Sequence, residues 1–330
     1  MTDMLPRIDV QRIIEEVHAD LARLSEGENA QVYPALAVVD PGLFGICVVT
    51  TAGAVHSIGD AEVPFALMSV AKPFVFALVC EAIGPDEARR RIGVNASGRK
   101  FNAVRPVLDG DGRTNPMVNS GAIATTSLLP GSAAGDKWDA LVAGLSSFAG
   151  RHLDLDEEVY LSASQTNVRN REIAAALAGR SLLACDAADA LELYTRQSSL
   201  RVTAHDLAVM GATLADGGVN PVTGERVIEP KLCHYVLAVM ATAGLYETSG
   251  DWLYDVGLPG KSGIGGGIVT VSPGKGGLGT YSPPLDAAGN SVRGVLAAMR
   301  LSQELGMDLF ASTPIGEDTP SPQRWGRESQ

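Results

Sequence analysis

Apolar and polar positions follow two different periods along the chain and divide it into helical and β-rich stretches. Residues 8–24 place apolar side chains at about i, i+3, i+4 and i+7, which predicts a surface-packed helix. Two β-rich runs within 43–60 flank Ala52-Gly53, and this arrangement predicts a hairpin. The pattern becomes helical from Phe65 and stays helical between about 85 and 225.

The last third of the chain returns to β-rich sequence before it ends. Residues 261–286 alternate β-branched residues with glycine-rich turns and predict two antiparallel strands. A helix is predicted over 289–305, with Asn290 or Ser291 as its N-cap. The stretch 312–330 is rich in proline, serine and charge, which predicts a disordered tail.

This order of elements predicts an α+β fold in which one sheet is built from both ends of the chain. The α/β sandwich domain is predicted to comprise residues 1–66 and 225–311. A helical domain, residues 67–224, is predicted to be inserted between these two parts.

Composition and charge narrow the classes of protein that fit. The 330 residues are 45% hydrophobic and 19% charged, which is typical of a globular protein. The net charge of −12 argues against nucleic-acid and anionic-membrane partners, and the longest apolar run is too short to span a bilayer. With no secretory signal pattern at the start, we expect a cytoplasmic protein. Reduced, packed thiols without a metal site are expected for the widely spaced Cys47, Cys80, Cys185 and Cys233.

The sequence Ser69-Val70-Ala71-Lys72 is the first candidate for chemistry. On a helix, side chains three residues apart share a face, with Cβ atoms about 5–6 Å apart. Pro73 follows immediately and is tolerated in a first turn, so Ser69 is expected at a helix N-terminus. A lysine among apolar residues loses proton affinity and can accept the serine proton. Taken alone, the pair also fits an ordinary N-cap serine at the head of a core helix.

A second motif, Lys261-Ser262-Gly263, lies far downstream. A Lys-Ser-Gly at the start of a strand suits a serine hydrolase of the penicillin-recognising type, where a strand N–H can help to form an oxyanion hole. A glycine-rich turn with a solvated lysine is the simpler interpretation. The order of the two motifs, with Asn119 in a loop between them, favours catalysis.

The stretch NPMVNSGAIATTSL, which begins at Asn115, resembles the NPxxNAGAI sequence block of the serine-dependent glutaminases. The stretch around Ser69, residues 198–227 and GLYETSGDWLYDVGLPGKSGIGGG resemble other blocks of that family, so that the resemblance covers about residues 30–300. It implies a β-lactamase-like αβα sandwich, mostly antiparallel, with an inserted helical domain.

The resemblance also implies roles for individual residues. Ser69 matches the nucleophile, Lys72 its activating base, and Tyr246 a tyrosine that shares the acid/base work. Ile264 stands where a backbone N–H completes the oxyanion hole beside that of Ser69. The positions that match substrate-binding residues are Asn119, Asn170 and Tyr194, together with Ser262 of the Lys-Ser-Gly motif.

Three positions depart from the family pattern, and all three are expected in the substrate pocket. Ala163 stands where the family has a glutamate that pairs with the α-ammonium group of glutamine. Met68 replaces a glutamine, and Val32 replaces a tyrosine, for which the neighbouring Tyr33 is a possible substitute. Each change replaces a polar group by an apolar one and spares the positions assigned to bond breaking.

These observations predict a serine amidohydrolase that cleaves a side-chain-type carboxamide through a Ser-Lys-Tyr acyl-enzyme mechanism. Its substrate is L-glutamine or a related amide with a less polar α-end. No cofactor or metal is expected, and the resemblance implies a homodimer or homotetramer. The alternatives are a catalytically silent homologue that binds a small molecule, and a penicillin-recognising hydrolase.

Overall fold

The computed structural model describes residues 8–312, which form a five-stranded antiparallel sheet, a two-stranded ribbon and surrounding helices. The predicted disordered tail, 312–330, lies outside the described residues except for Ser312. The strands are β1 Gly45–Thr50, β2 Val55–Gly59, β3 Phe65–Ala66, β4 Arg201–Val202, β5 Gly260–Ser262, β6 Gly267–Ser272 and β7 Gly276–Tyr281.

The helices of the described residues fall before, between and after these strands. They are α1 Val10–Leu21, α2 Pro34–Ala37, α3 Ala71–Ile83, α4 Pro85–Ile92, α5 Arg105–Leu108, α6 Asn119–Ser127, α7 Ala134–Ala149, α8 Glu157–Thr166, α9 Val168–Gly179, α10 Ala187–Ser198, α11 Ala204–Ala215, α12 Pro230–Ala243, α13 Ser249–Val256 and α14 Val292–Glu304. Short 3₁₀ turns lie at Met68–Val70 and Tyr246–Thr248.

The large sheet joins the two ends of the chain, as the sequence predicts. Its strand order is β2-β1-β7-β6-β5, and β1 pairs with β7 from Gly45 opposite Tyr281 to Thr50 opposite Gly276. The predicted hairpin is confirmed as β1 and β2, which pair up to Val49 opposite Val55. The C-terminal region has three strands instead of the two predicted, because the Lys-Ser-Gly motif forms the separate short edge strand β5.

Side chains of β1 alternate between two apolar layers, which makes the sheet the middle of an αβα sandwich. Ile46 and Val48 face the cluster formed with α1 and α14. Cys47 and Val49 face a larger cluster that contains α3, α11 and α12. This period of two is the one expected for a sheet covered on both faces.

Helix α11 packs directly on β7, although it lies within the range 67–224 assigned to the helical domain. Gly277 and Gly279 make this close packing possible, because a Cβ on Gly277 would lie 2.2 Å from the Ala208 carbonyl oxygen. The division at residues 224 and 225 therefore stays a prediction. A separate apolar cluster joins α5, α6, α9 and α10.

Within residues 8–312, no single helix is long and apolar enough to cross a membrane. One bent pair, Met68–Ile83 with Pro85–Ile92 at 119°, has the length and composition only when its two helices are combined.

Candidate active site

Ser69 lies on the 3₁₀ turn Met68–Val70, which connects the β3–β4 ribbon to α3. The Leu67 N–H donates to the Leu200 carbonyl at 2.8 Å and fixes the start of this turn. Met68 has a φ of 47°, a left-handed conformation that is uncommon for a residue with a side chain. The turn places Ser69 two residues before the first residue of α3, so the predicted position near a helix N-terminus is close to the observed one.

Lys72 is buried in the first turn of α3, with 2% of its surface exposed. Its Nζ donates to Oδ1 of Asn119 at 2.7 Å. Burial lowers the pKa of Lys72 from 10.5 to about 7. A substantial fraction of this lysine is therefore neutral near neutral pH, which a general base for a serine hydroxyl requires.

Three predicted substrate residues meet beside Lys72, although they come from three helices. Asn119 begins α6, Asn170 lies in α9 and Tyr194 lies in α10. The Tyr194 hydroxyl donates to Asn119 Oδ1 at 3.1 Å, and Asn119 Nδ2 donates to Asn170 Oδ1 at 2.8 Å. Because Asn119 Oδ1 already accepts from Lys72 and Tyr194, the Asn119 side chain can engage a substrate only through its remaining N–H.

Tyr246 approaches the nucleophile from the sheet side of the site. Its hydroxyl donates to the Ser262 carbonyl at 3.2 Å and also shares a hydrogen bond with Ser69. Burial raises the pKa of Tyr246 to about 12, and the side chains of Ser69 and Ser262 oppose this increase to a smaller extent. Lys261 Nζ lies 4.2 Å from the Tyr246 ring centroid and donates to the same Ser262 carbonyl at 2.6 Å.

Strand β5 continues into a glycine-rich turn that packs against the nucleophile. A Cβ on Gly263 would lie 3.2 Å from the Ser69 backbone nitrogen, so glycine allows the two chain segments to approach closely. Among the described residues, the N–H groups of Ser69 and Ile264 have no backbone acceptor. Both groups are available as donors to an oxyanion.

A cavity of about 160 Å³ opens at Ser69. One wall is apolar, since Tyr33, Met68 and Ile264 belong to a cluster with Leu36, Ala66 and Val159. The other wall is formed by the asparagines and Tyr194. No aspartate or glutamate is found among the described residues that line it, and Arg169, the charged one, pairs with Glu172 at 2.7 Å. The lining residues are Val32, Tyr33, Met68, Ser69, Phe101, Asn102, Asn119, Thr166, Asn167, Arg169, Asn170, Tyr194, Ser198 and Ile264.

Comparison with known proteins agrees with this geometry. A family model described as Glutaminase matches residues 27–310. The chain belongs to the glutaminase family. Membership in this family makes the protein an amidohydrolase.

Relatives of the chain extend over nearly its whole length. It is 61% identical over 309 residues to Glutaminase 2 of Yersinia pestis, covering 93% of this chain and 91% of that protein. It is 45% identical to a glutaminase of Mycobacterium ulcerans, covering 94% of this chain and 97% of the other. A solved structure described as the probable glutaminase YbaS superposes with a TM-score of 0.91 at 41% identity, covering 93% of this chain and all of that one. The fold is therefore the β-lactamase-like fold expected from the sequence.

Two of the residues predicted for the glutaminase pocket lie outside the lining of the cavity. Ala163 is buried in α8 with 3% of its surface exposed. Ser262 points its side chain to Asn290, to whose Oδ1 it donates at 2.6 Å, and faces Tyr246 with its backbone carbonyl. Val32 and Tyr33 both line the cavity, so the structure brings the possible substitute tyrosine to the site.

Several lining residues of this glutaminase site carry no recognisable sequence signal. Phe101 and Asn102 come from a loop whose composition indicates only a turn, yet the Phe101 ring lies 4.4 Å from the Tyr246 ring. Asn167 and Ser198 come from helix ends, where polar residues are ordinary caps. The spacing of Asn167 before Asn170, three residues along one helix face, is the one signal that could have drawn attention to it.

Proposed function

We propose that this protein hydrolyses a carboxamide through an acyl-enzyme on Ser69, with Lys72 as the general base. The observation that carries the proposal is Lys72 itself. It is buried with a pKa of about 7, and its N–H is held by Asn119 while it lies one helical turn from Ser69. Within residues 8–312, no carboxylate contributes to the pKa of Lys72, so nothing of that kind stabilises its charged form.

The proposed reaction has two stages, acylation of Ser69 by the amide and hydrolysis of the resulting ester. The Ser69 hydroxyl oxygen attacks the amide carbon and its proton passes to Lys72, while the N–H groups of Ser69 and Ile264 hold the oxyanion. Tyr246 or Lys72 returns a proton to the nitrogen as the carbon–nitrogen bond breaks and ammonia leaves. Water then attacks the acyl-enzyme, releases the carboxylate product and restores Ser69.

For the substrate, we propose either L-glutamine or a related amide with a less polar α-end. The names of the relatives favour L-glutamine. The apolar wall and the lining without a carboxylate favour the related amide, because a buried α-ammonium group would have no charged partner there. The resemblance expects polar groups at Val32, Met68 and Ala163; the carboxylate expected at Ala163 would pair with the α-ammonium group, and its loss removes a charge-assisted contact of about 1.5–3 kcal/mol.

We test the mechanism with Ser69→Ala. Loss of the nucleophile is expected to lower ammonia release from L-glutamine and from glutaramate by at least about 10³-fold. A serine-directed amide analogue is expected to add its mass to the wild type and not to Ser69→Ala. Ser302→Ala, which removes a buried hydroxyl from α14, is the matched control. Undiminished turnover in Ser69→Ala contradicts the mechanism, and absence of both turnover and adduct in the wild type favours the silent homologue.

We test the pocket with the double variant Met68→Gln, Ala163→Glu. If an ammonium partner is what the site lacks, kcat/KM on L-glutamine is expected to rise about 10-fold or more. Activity on glutaramate, which has no α-amino group, is expected to fall or stay level. A folded double variant with no gain on L-glutamine contradicts the pocket argument, and its melting temperature shows whether the buried glutamate is tolerated.

We further propose that the enzyme is cytoplasmic, forms a homodimer or homotetramer, and binds neither nucleic acid nor membrane. All four cysteines are free, and Cys47, Cys80 and Cys233 are buried, which supports a reducing compartment. Light scattering on the purified protein tests the oligomeric state.

A further inference from the structure

We propose that Thr195 and Asn167 are positioning residues that fix which atom of Asn119 faces Lys72. The inference rests on the proposed function, in which Lys72 is the base. It concerns residues that do not touch the nucleophile and act through a chain of side-chain hydrogen bonds.

This hydrogen-bond chain starts at Lys72 and ends at the backbone carbonyl of Leu191 in α10. Lys72 Nζ donates to Asn119 Oδ1 at 2.7 Å, and Asn119 Nδ2 donates to Asn170 Oδ1 at 2.8 Å. Asn170 Nδ2 donates to Asn167 Oδ1 at 2.6 Å, and Asn167 Nδ2 donates to Thr195 Oγ1 at 3.0 Å. The Thr195 hydroxyl donates to the Leu191 carbonyl at 2.8 Å. Every one of these bonds runs in the same direction.

The last bond determines the direction of all the others. A backbone carbonyl can only accept, so the Thr195 hydroxyl hydrogen is committed to Leu191 and its oxygen must accept from Asn167. Asn167 then presents Oδ1 to Asn170, which presents Oδ1 to Asn119 in turn. Amide orientation is set by such networks, and here it ends with the oxygen of Asn119 toward Lys72.

This orientation suits a neutral amine that must remove a proton. A neutral Lys72 has N–H hydrogens to donate and one lone pair, and donating to Asn119 Oδ1 leaves the lone pair available to Ser69. A reversed chain would present Nδ2 of Asn119, whose N–H would compete with Ser69 for that lone pair. It would also lie against the ammonium group that forms once the proton is transferred.

Burial makes the chain hard to replace by solvent. The exposed fraction is at most 6% for each of its side chains. In addition, the Tyr194 hydroxyl donates to Asn119 Oδ1 at 3.1 Å, an arrangement that a reversed Asn119 amide would lose. The direction of the hydrogen-bond chain is therefore coupled to the hydrogen bond that Asn119 Oδ1 accepts from Tyr194.

The test compares Thr195→Val with Thr195→Ser by ammonia release from L-glutamine and from glutaramate between pH 5 and 10. Thr195→Val keeps the shape but removes the hydroxyl, and we expect kcat to fall about 10-fold on the better substrate. The acidic limb of the pH profile is expected to move to lower pH, on the order of one unit, because the ammonium form loses a fixed acceptor. Thr195→Ser is expected to restore both the rate and the limb.

Thr213→Val is the matched control, since Thr213 is buried in α11 and donates to the Val209 carbonyl at 2.9 Å in the same way. Wild-type rates and pH profile in Thr195→Val, or no restoration by Thr195→Ser, would overturn the inference. If Thr195→Val does not melt cooperatively, Asn167→Ala replaces it with the same expectation. A fully active Ser69→Ala variant would instead contradict the proposed function, so the two failures are distinguishable.

Discussion

Lys72 and Lys261 are two buried lysines on either side of the site, and neither is stabilised as a cation by a carboxylate among residues 8–312. Burial lowers the pKa of both, and the proximity of Lys72 lowers that of Lys261 further. Protonating one makes it harder to protonate the other. The site therefore favours neutral amines where an ordinary surface lysine would be charged.

The pH dependence of the rate follows from the pKa of Lys72. A base must be unprotonated to accept the Ser69 proton, so kcat/KM is expected to rise as pH increases through about 7. A lysine with its ordinary pKa of 10.5 would place this limb above pH 10. Stopped-time ammonia assays across pH 5–11 on the wild type measure the limb. A limb at pH 10 or above would contradict a neutral Lys72.

The residues to which we assign the chemistry stand out in the sequence, while the shape of the cavity does not. Ser69, Lys72 and Tyr246 stand in recognisable motifs; in the structure Tyr246 shares a hydrogen bond with Ser69, and Lys72 follows Ser69 by about one helical turn. Phe101 and Asn167 are at the site only because loops and helix ends converge there. No local pattern reports such convergence, since it depends on how distant elements pack.

At the scale of elements, the contact between β7 and α11 is made by glycines instead of interlocking side chains. A Cβ on Gly279 would lie 2.0 Å from the Ala204 carbonyl oxygen. A Cβ on Gly277 would lie 2.2 Å from the Ala208 carbonyl oxygen and 2.3 Å from the Ala212 backbone nitrogen. Backbone atoms cannot move aside as a flexible side chain can. The separation of helix and sheet is thus set by the absence of side chains.

Gly277→Ala is expected to destabilise the protein by at least about 1–3 kcal/mol, because the new methyl overlaps the backbone of α11. Urea unfolding followed by circular dichroism measures the change. Gly250→Ala in α13 is the control: nothing lies within 4 Å of its added Cβ, and its free energy of unfolding should change by less than about 1 kcal/mol. Equal effects of the two substitutions would contradict the packing argument.

Elements with a clear period were predictable, and those defined by pairing were less so. The helix predicted over 8–24 is observed as Val10–Leu21, with Asp9 as its N-cap. The ribbon of β3 with β4 has two residues on each side, too few for a period to appear. The sequence pattern does not separate strand β5 from its neighbour, because glycines on either side obscure its ends.

For the whole molecule, Arg293 connects the last helix to the segment before β1. It is 3% exposed and donates to three successive carbonyls, at 2.5 Å to Pro41, 3.3 Å to Gly42 and 3.1 Å to Leu43. Its Nε also donates to Ser282 Oγ at 2.8 Å. One side chain therefore holds positions 250 residues apart in the sequence.

Arg293→Met is expected to reduce the free energy of unfolding by at least about 2 kcal/mol, because it removes the hydrogen bonds of a buried guanidinium to three part-buried carbonyls and to the buried Ser282 hydroxyl. Arg12→Met is the control, since Arg12 forms an exposed pair with Glu16 within α1 and should contribute less than about 1 kcal/mol. Thermal unfolding of both variants measures the difference. A melting temperature of Arg293→Met equal to that of the control would contradict this role.

The pairing of β1 with β7 also orders events in time as a ribosome makes the chain. Ser69 and Lys72 are synthesised well before Tyr246, the Lys-Ser-Gly strand and β7, which is the later of the two strands that pair with β1. A nascent chain that ends before residue 260 has Ser69 and Lys72 without Ile264, the proposed second oxyanion donor. The proposed chemistry thus begins only after these later residues have been made, so a product truncated before them is expected to release no ammonia.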